Sequence, residues 1–200
     1  MIKLLTTLLI IVNLYSSDNL VKYYTNQLNH LDKQQIKCLK QIWNKAKPFD
    51  LSYTMCAIGF KESSLGKFMF NLKDGGKNSL GSYGVFHNMV DSVYSRYVKD
   101  LTYKPINRNI IISTKLDIAK RLVDDFDFSF SQSLAELKYW ENVAIVKHKE
   151  WDKWRYMIMC YNGGTYGYSK LYGKNYYIHI VAIIKAIKSV KHKYNLKKAF

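Results

Sequence analysis

Cysteine is scarce in this chain of 200 residues, which has only Cys38, Cys56 and Cys160 and no C-x-x-C pair. An odd, widely spaced set excludes a dense disulfide framework and a standard zinc site. Cys56 and Cys160 lie in apolar stretches and read as small buried hydrophobes, although one disulfide stays open to an exported chain. The five histidines are scattered singly, which speaks against a metal cluster. No H-E-x-x-H, no Gly-Lys-Ser/Thr phosphate loop and no G-x-S-x-G elbow occurs, so three common catalytic designs drop out. Proline is nearly absent, with two residues, while 48% of the chain is hydrophobic; that composition excludes disorder and favours a compact, mainly helical fold. No repeat or low-complexity linker divides it. Acidic residues are also few, 15 against 31 Lys and Arg, for a net charge of +16. Such a balance suits polyanionic surroundings such as nucleic acid, anionic lipid or an acidic wall polymer. A lysine-rich soluble surface explains it equally well. The lysines run from Lys22 to Lys198 without gathering into one arm, so charge alone selects no partner and no specific nucleic acid is expected.

What is abundant is tyrosine, 17 residues in all. Its ring packs while its hydroxyl stays wet, a combination that suits a groove. Residues 1–17 hold a lone Lys3, an apolar run from Leu4 to Tyr15 and then Ser16 and Ser17. The run is short for a bilayer span and reads as a secretory signal, with a membrane anchor as the alternative, so the chain is expected in the periplasm or cell envelope. From Asp18 to Lys47, Leu28, Leu31, Ile36, Leu39, Ile42 and Trp43 recur at near-helical spacing until Pro48, giving an N-terminal helical segment over 18–49. Asp50 is placed to cap the next helix, which carries Tyr53, Cys56, Ala57 and Phe60 toward Glu62.

Asn71 to Gly81 reads as a glycine-rich loop, and Val85 to Val98 as a helix burying Phe86, Met89, Val90, Val93 and Tyr97. Residues 101–113, with Pro105 and three consecutive isoleucines, fit an extended loop or a short strand pair. Helices follow over Lys115–Phe126 and Ser131–Val146, and another through Trp151, Trp154, Ile158 and Tyr161 stops at Asn162-Gly163-Gly164. A tyrosine-rich loop to Asn175 leads to a last helix through Ile180, Ile184 and Ile187, and 191–200 form a basic tail. The reading is one mainly α domain with a short irregular or β segment.

The stretch from Ala57 to His87 organises the rest. An apolar helix delivers a single acid, Glu62, to a turn made by Ser63, Ser64 and Gly66. A carboxyl dry on one side and open on the other gains proton affinity and becomes a general acid. An exposed helix-end glutamate is the ordinary alternative.

Taken in order, Glu62-Ser63-Ser64-x-Gly66, Gly81-x-x-Gly84-Val85-Phe86-His87, Cys160-Tyr161-Asn162-Gly163-Gly164 and Tyr177-Ile178 resemble the motif set of the soluble lytic transglycosylases. That family carries E-S-x-x-G, G-x-x-G-L-M-Q, A-Y-N-x-G and a late Y-V within a lysozyme-like helical domain, here over 50–190. The resemblance implies cleavage of the β-1,4 bond between N-acetylmuramic acid and N-acetylglucosamine in peptidoglycan, with no cofactor or metal. It implies that Glu62 first protonates the leaving oxygen and then takes the proton of the muramyl 6-hydroxyl, closing a 1,6-anhydro ring, a departure from the two-carboxylate scheme. It further implies that Ser63, His87, Tyr161, Asn162 and Tyr177 contact substrate or hold the acid. Two departures from the pattern matter: His87 stands where the family usually has glutamine, and Cys160 replaces the usual alanine. Histidine adds a charge that titrates near ~6.5 when unperturbed.

Asp74 matches the loop aspartate of the related goose-type lysozymes; at about 6.5–9.5 Å from Glu62 it would serve an inverting hydrolase. A plain solvated loop aspartate is the simpler account, and Asp91 is a weaker candidate. The expected partners are peptidoglycan strands and, through Lys185, Lys188, Lys191 and Lys193, an anionic membrane surface. A non-catalytic, wall-binding part in a secretion, conjugation or phage machine that spans the wall is the competing class.

Overall fold

The computed structural model describes residues 18–74, 79–99, 108–147 and 152–196. The N-terminal apolar run, Gly75, Gly76, Pro105 and Trp151 lie outside them. The described chain is mainly α with one three-stranded antiparallel sheet. Among the described residues no helix is long and apolar enough to cross a membrane.

The predicted N-terminal helix is in fact two. Helix α1 covers 18–29, and α2 (Lys33–Ala46) restarts behind Asp32. Asp32 accepts from the backbone N–H of Gln34 and Gln35 while Gln35 returns a bond to the Asp32 N–H, a complete capping box that justifies the break. Pro48 opens a 3₁₀ turn over Lys47–Phe49. Asp50 does not cap the next helix. It closes that turn in the left-handed region (φ 54°), and α3 (Ser52–Ser63) begins behind Leu51.

Helix α3 is the centre of the molecule. Thr54 through Phe60 are all buried, enclosed by α2 on one side and α8 on the other. Gly59 permits the closest approach, since a Cβ there would meet Ile42 Cδ1 at 2.8 Å. The helix ends when Ser64 and Leu65 turn left-handed and donate to Phe60 and Gly59 carbonyls, a Schellman-type stop without glycine.

Residues 82–89, predicted as loop and helix start, form a sheet. β1 (Phe70–Asn71), β2 (Ser82–Tyr83) and β3 (Asn88–Met89) pair antiparallel in that order, Phe70 facing Tyr83 and Ser82 facing Met89. Gly84 has φ +83°, and a Cβ there would collide with the Leu122 carbonyl and approach Ser129 Oγ to 2.5 Å. α4 (Val90–Lys99) therefore starts five residues later than expected. It buries Val90 and Val93, but Met89 and Tyr97 are exposed.

Arg108–Asp124 is helix α5, so the isoleucine run is helical and not extended. α6 (Phe126–Lys147) begins one residue after Asp125 and is longer than predicted. α7 (Lys153–Gly163) stops at Gly164 as expected, and a 3₁₀ turn over Gly164–Tyr166 follows. α8 (Leu171–Val190) takes in Asn175, which the sequence suggested was loop. Residues 191–196 fold back on α1, where Tyr194 bonds the Leu28 carbonyl and Lys193 donates to the Asn29 carbonyl at 2.7 Å. Cys56 and Cys160 are buried and unpaired. A large cluster around α3 forms the core, and a smaller one joins α4 to α5 through Val90, Val93, Ile118, Ala119 and Leu122.

Candidate active site

Glu62 sits in the last turn of α3, where the buried apolar segment meets the Ser64–Gly66 reversal. Its side chain is only 15% exposed. Tyr176, buried on α8, donates its hydroxyl to Glu62 Oε1 at 2.6 Å. Burial pushes the Glu62 carboxyl up to about 7, and the Asp74 charge adds to the rise, while the Tyr176 bond and the Lys61 charge hold it back. A carboxyl poised near neutrality can give a proton and take one back within one cycle.

The other carboxylate oxygen, Oε2, lies 3.6 Å from His87 Nδ1. His87 has φ 46°, and this left-handed turn between β2 and β3 swings its ring over the acid. Its Nε2 is 2.9 Å from the Phe68 carbonyl oxygen. A carbonyl only accepts, so Nε2 carries the hydrogen and Nδ1 of the neutral ring faces Glu62 bare. A proton on Oε2 therefore has an acceptor beside it, and a second ring proton would face the carboxylate instead.

Tyr161 and Asn162 come from the end of α7 and line the same cavity as Glu62 and His87, a hollow of about 230 Å³. Tyr161 makes no hydrogen bond to the acid. Its ring stacks on Tyr176 (centroids 6.5 Å, 22°), its hydroxyl donates to the Phe86 carbonyl at 3.1 Å, and it accepts from Ser133. It thus braces both the tyrosine that holds Glu62 and the turn that presents His87. Asp74 also lines the cavity, held by the Asn71 amide at 2.9 Å and by the Ser82 hydroxyl.

Two predicted residues stand elsewhere. Ser63 is fully buried and faces no groove; its hydroxyl donates to the Val85 carbonyl at 2.7 Å and accepts from the Gly66 N–H at 2.8 Å. It ties the reversal after Glu62 to the strand loop. Tyr177 points away from Glu62, packs edge-on against Trp154 at 5.5 Å, and borders a separate apolar groove with Val21 and Ile178. Its expected place beside the acid belongs to Tyr176.

Arg96 and Glu136 are charged wall residues that sequence reading did not single out, as are the polar Asn88 and Ser92. Arg96 and Glu136 pair across the cavity between α4 and α6, and Trp140 Nε1 donates to the second Glu136 oxygen at 2.7 Å. Only an apolar stripe marks those helices in sequence, so no local signal announced them. Asp91, the weaker acid candidate, is engaged by Lys115 at 2.6 Å. Among the described residues no group of three His, Cys, Asp or Glu side chains could hold a metal ion. Comparison with known protein families, with curated proteins and with solved structures finds no match for this chain.

Proposed function

We propose that the protein is a peptidoglycan lytic transglycosylase that cleaves the N-acetylmuramic acid–N-acetylglucosamine β-1,4 bond with Glu62 as its one proton shuttle. The observation that carries this reading is the Glu62–Tyr176 pair: a mostly buried carboxyl, raised to about 7, anchored through one oxygen and open to a cavity through its surroundings. The ordered motifs from Glu62 to the end of α7 support it, because Glu62, His87, Tyr161 and Asn162 share that cavity.

In the first step neutral Glu62 gives its proton to the bridging oxygen as the bond to the anomeric carbon breaks. The positive charge on that carbon is shared with the sugar's own acetamido oxygen, so the protein needs no second nucleophile. Tyr176 steadies the carboxylate left behind. That carboxylate then removes the proton of the muramyl 6-hydroxyl, whose oxygen closes on the anomeric carbon. The ring closes, Glu62 is neutral again, and no water is consumed.

Asp74 favours a second reading, since its carboxylate faces the same cavity and its charge acts on Glu62. A water activated there would give inversion and a reducing muramic end. Mass spectrometry of wall digests separates the two: 1,6-anhydro ends mark the lyase, reducing ends the hydrolase. Glu62→Gln should abolish release of either product from purified wall. Undiminished digestion by that variant would refute the role of Glu62, and wall binding without any release by the native protein would favour a non-catalytic part of a wall-spanning machine. Export to the envelope belongs to the same proposal and rests on residues 1–17. The charge of +16 would hold the protein against an anionic wall or membrane surface.

A further inference from the structure

Glu62 and His87 stand on a ridge with a hollow on each side. Beyond the cavity described above, a second depression of about 470 Å³ opens between the end of α3 and the first turns of α8. Glu62, His87 and Asn162 border both, so a chain lying across the ridge would enter both. Their charges differ. The first hollow holds Asp74, Glu136 and an already paired Arg96. The second is walled by Lys61, Asn71, Asn175 and His179, and among the described residues Glu62 is its only acid.

Lys61 lies next to Glu62 on the half-buried end of α3. Among the described residues no carboxylate stands within ion-pair distance of its nitrogen. Its charge acts on both Glu62 and His179, and all three residues line the hollow. His179 Nδ1 is 2.6 Å from the Tyr24 hydroxyl. Where that hydroxyl donates to a bare Nδ1, the other ring nitrogen carries the hydrogen. That nitrogen, Nε2, has no hydrogen-bond partner among the described residues. Asn175 lies one turn before His179, on the same face of α8. Lys61, His179 and Asn175 thus line one hollow, and an ammonium, a ring N–H and an amide make a donor set that matches a carboxylate.

We propose that this hollow is a carboxylate subsite, filled by the free lactyl carboxylate of a muramic acid residue that carries no stem peptide. The proposal rests on the glycan reading of Glu62. On a peptide-free strand the lactyl group supplies the only anion, whereas in a peptide-bearing strand the same carbon is a neutral amide. The preferred substrate is therefore a stripped strand, and the reaction that supplies it is an amide hydrolysis that removes stem peptides.

The test measures binding, in the Glu62→Gln background so that the Lys61 effect on the acid plays no part. Three tetrasaccharides serve as probes: alternating N-acetylglucosamine and muramic acid with free lactyl groups, the same sugar with lactyl methylamides, and chitotetraose. A fourth, bearing L-alanyl-D-glutamate, moves the carboxylate outward. The free acid should bind about tenfold more tightly than the methylamide or chitotetraose. Lys61→Gln should erase that preference and Lys61→Arg should keep it, with unchanged circular dichroism. Equal binding of acid and amide, or a preference that survives Lys61→Gln, overturns the subsite alone. Tightest binding by the dipeptide probe overturns the lactyl assignment. Failure of every sugar to bind overturns the glycan reading and the subsite with it.

Discussion

Replacing Tyr176 by phenylalanine keeps the ring that stacks on Tyr161 and removes one atom, the hydroxyl that donates to Glu62 Oε1 at 2.6 Å. The direction of the effect follows from which form the bond favours. It stabilises the charged carboxylate, against a desolvation that already holds the group at about 7. Without it the buried anion is worse off and the proton is held more tightly. A hydrogen bond to a charged acceptor contributes about 1.5–3 kcal/mol, and about 1.4 kcal/mol moves a titration by one pH unit. The Glu62 titration should therefore move upward by roughly one to two pH units. Carbon-13 NMR of protein labelled at the glutamate carboxyls reads this without any substrate, with Glu62→Gln identifying the signal. On substrate, the alkaline limb of cleavage should move the same way, because the first step needs the protonated acid. A midpoint that stays put or falls would show that the Tyr176 bond does not hold the charge on Glu62, and the proton-shuttle reasoning would fail with it.

Stability should carry the same signature. Glu62 is raised from an ordinary 4.5 to about 7, so the folded state binds more protons than the unfolded chain between those values. Its contribution is fully favourable below pH 4.5 and is lost as pH rises to 7, a difference of roughly 3 kcal/mol. Urea denaturation at pH 4.5 and pH 8 should show Glu62→Gln free of that loss and more stable than wild type at pH 8; parallel curves would contradict it. At Gly84 an alanine must bear both φ +83° and a collision with the Leu122 carbonyl, whereas at Gly164 (φ +57°) the added methyl meets nothing within 4 Å. Gly84→Ala should cost roughly 2–5 kcal/mol and Gly164→Ala only about 1–2, readable as melting temperatures, and equal losses would count against the packing of the strand loop on α5.

Much of this fold is legible in the sequence where one periodicity has room to repeat. α3, α6 and α7 announce themselves through apolar spacing, and the glycines after Asn162 mark an ending that the structure keeps. The sheet does not, because strands of two residues are too short for any alternation to appear. The isoleucines of α5 illustrate the weakness of β propensity against context: β-branched residues settle in a helix whose later turns pack Ile118, Ala119 and Leu122 against α4. Asp50 looked like a cap because of its type, but its backbone turns left-handed to follow the 3₁₀ turn, and no side-chain cap forms.

The instructive slip is at α8. The resemblance of Tyr177-Ile178 to a late Tyr-Val motif brings Tyr177 toward the acid, but the buried residues of α8 are Gly173, Tyr176, Ile180, Ala182, Ile183, Ala186, Ile187 and Val190. Tyr177, Ile180, Ile184 and Ile187 keep spacings of three and four just as Gly173, Tyr176, Ile180, Ile183 and Ile187 do, so periodicity alone does not choose between the two tyrosines. A shift of one residue is about 100° around the helix, enough to trade the residue bonded to Glu62 for one against Trp154.

The bond from Tyr176 to Glu62 joins positions 114 apart in the chain. Glu62 leaves the ribosome well before its donor. Until the final long helix has been made and has docked on α3, the acid has neither its anchor nor the cover on that side. A nascent or truncated chain ending before α8 thus carries every motif up to Asn162 and still lacks the tuned proton. A helix made long after Glu62 is what arms it.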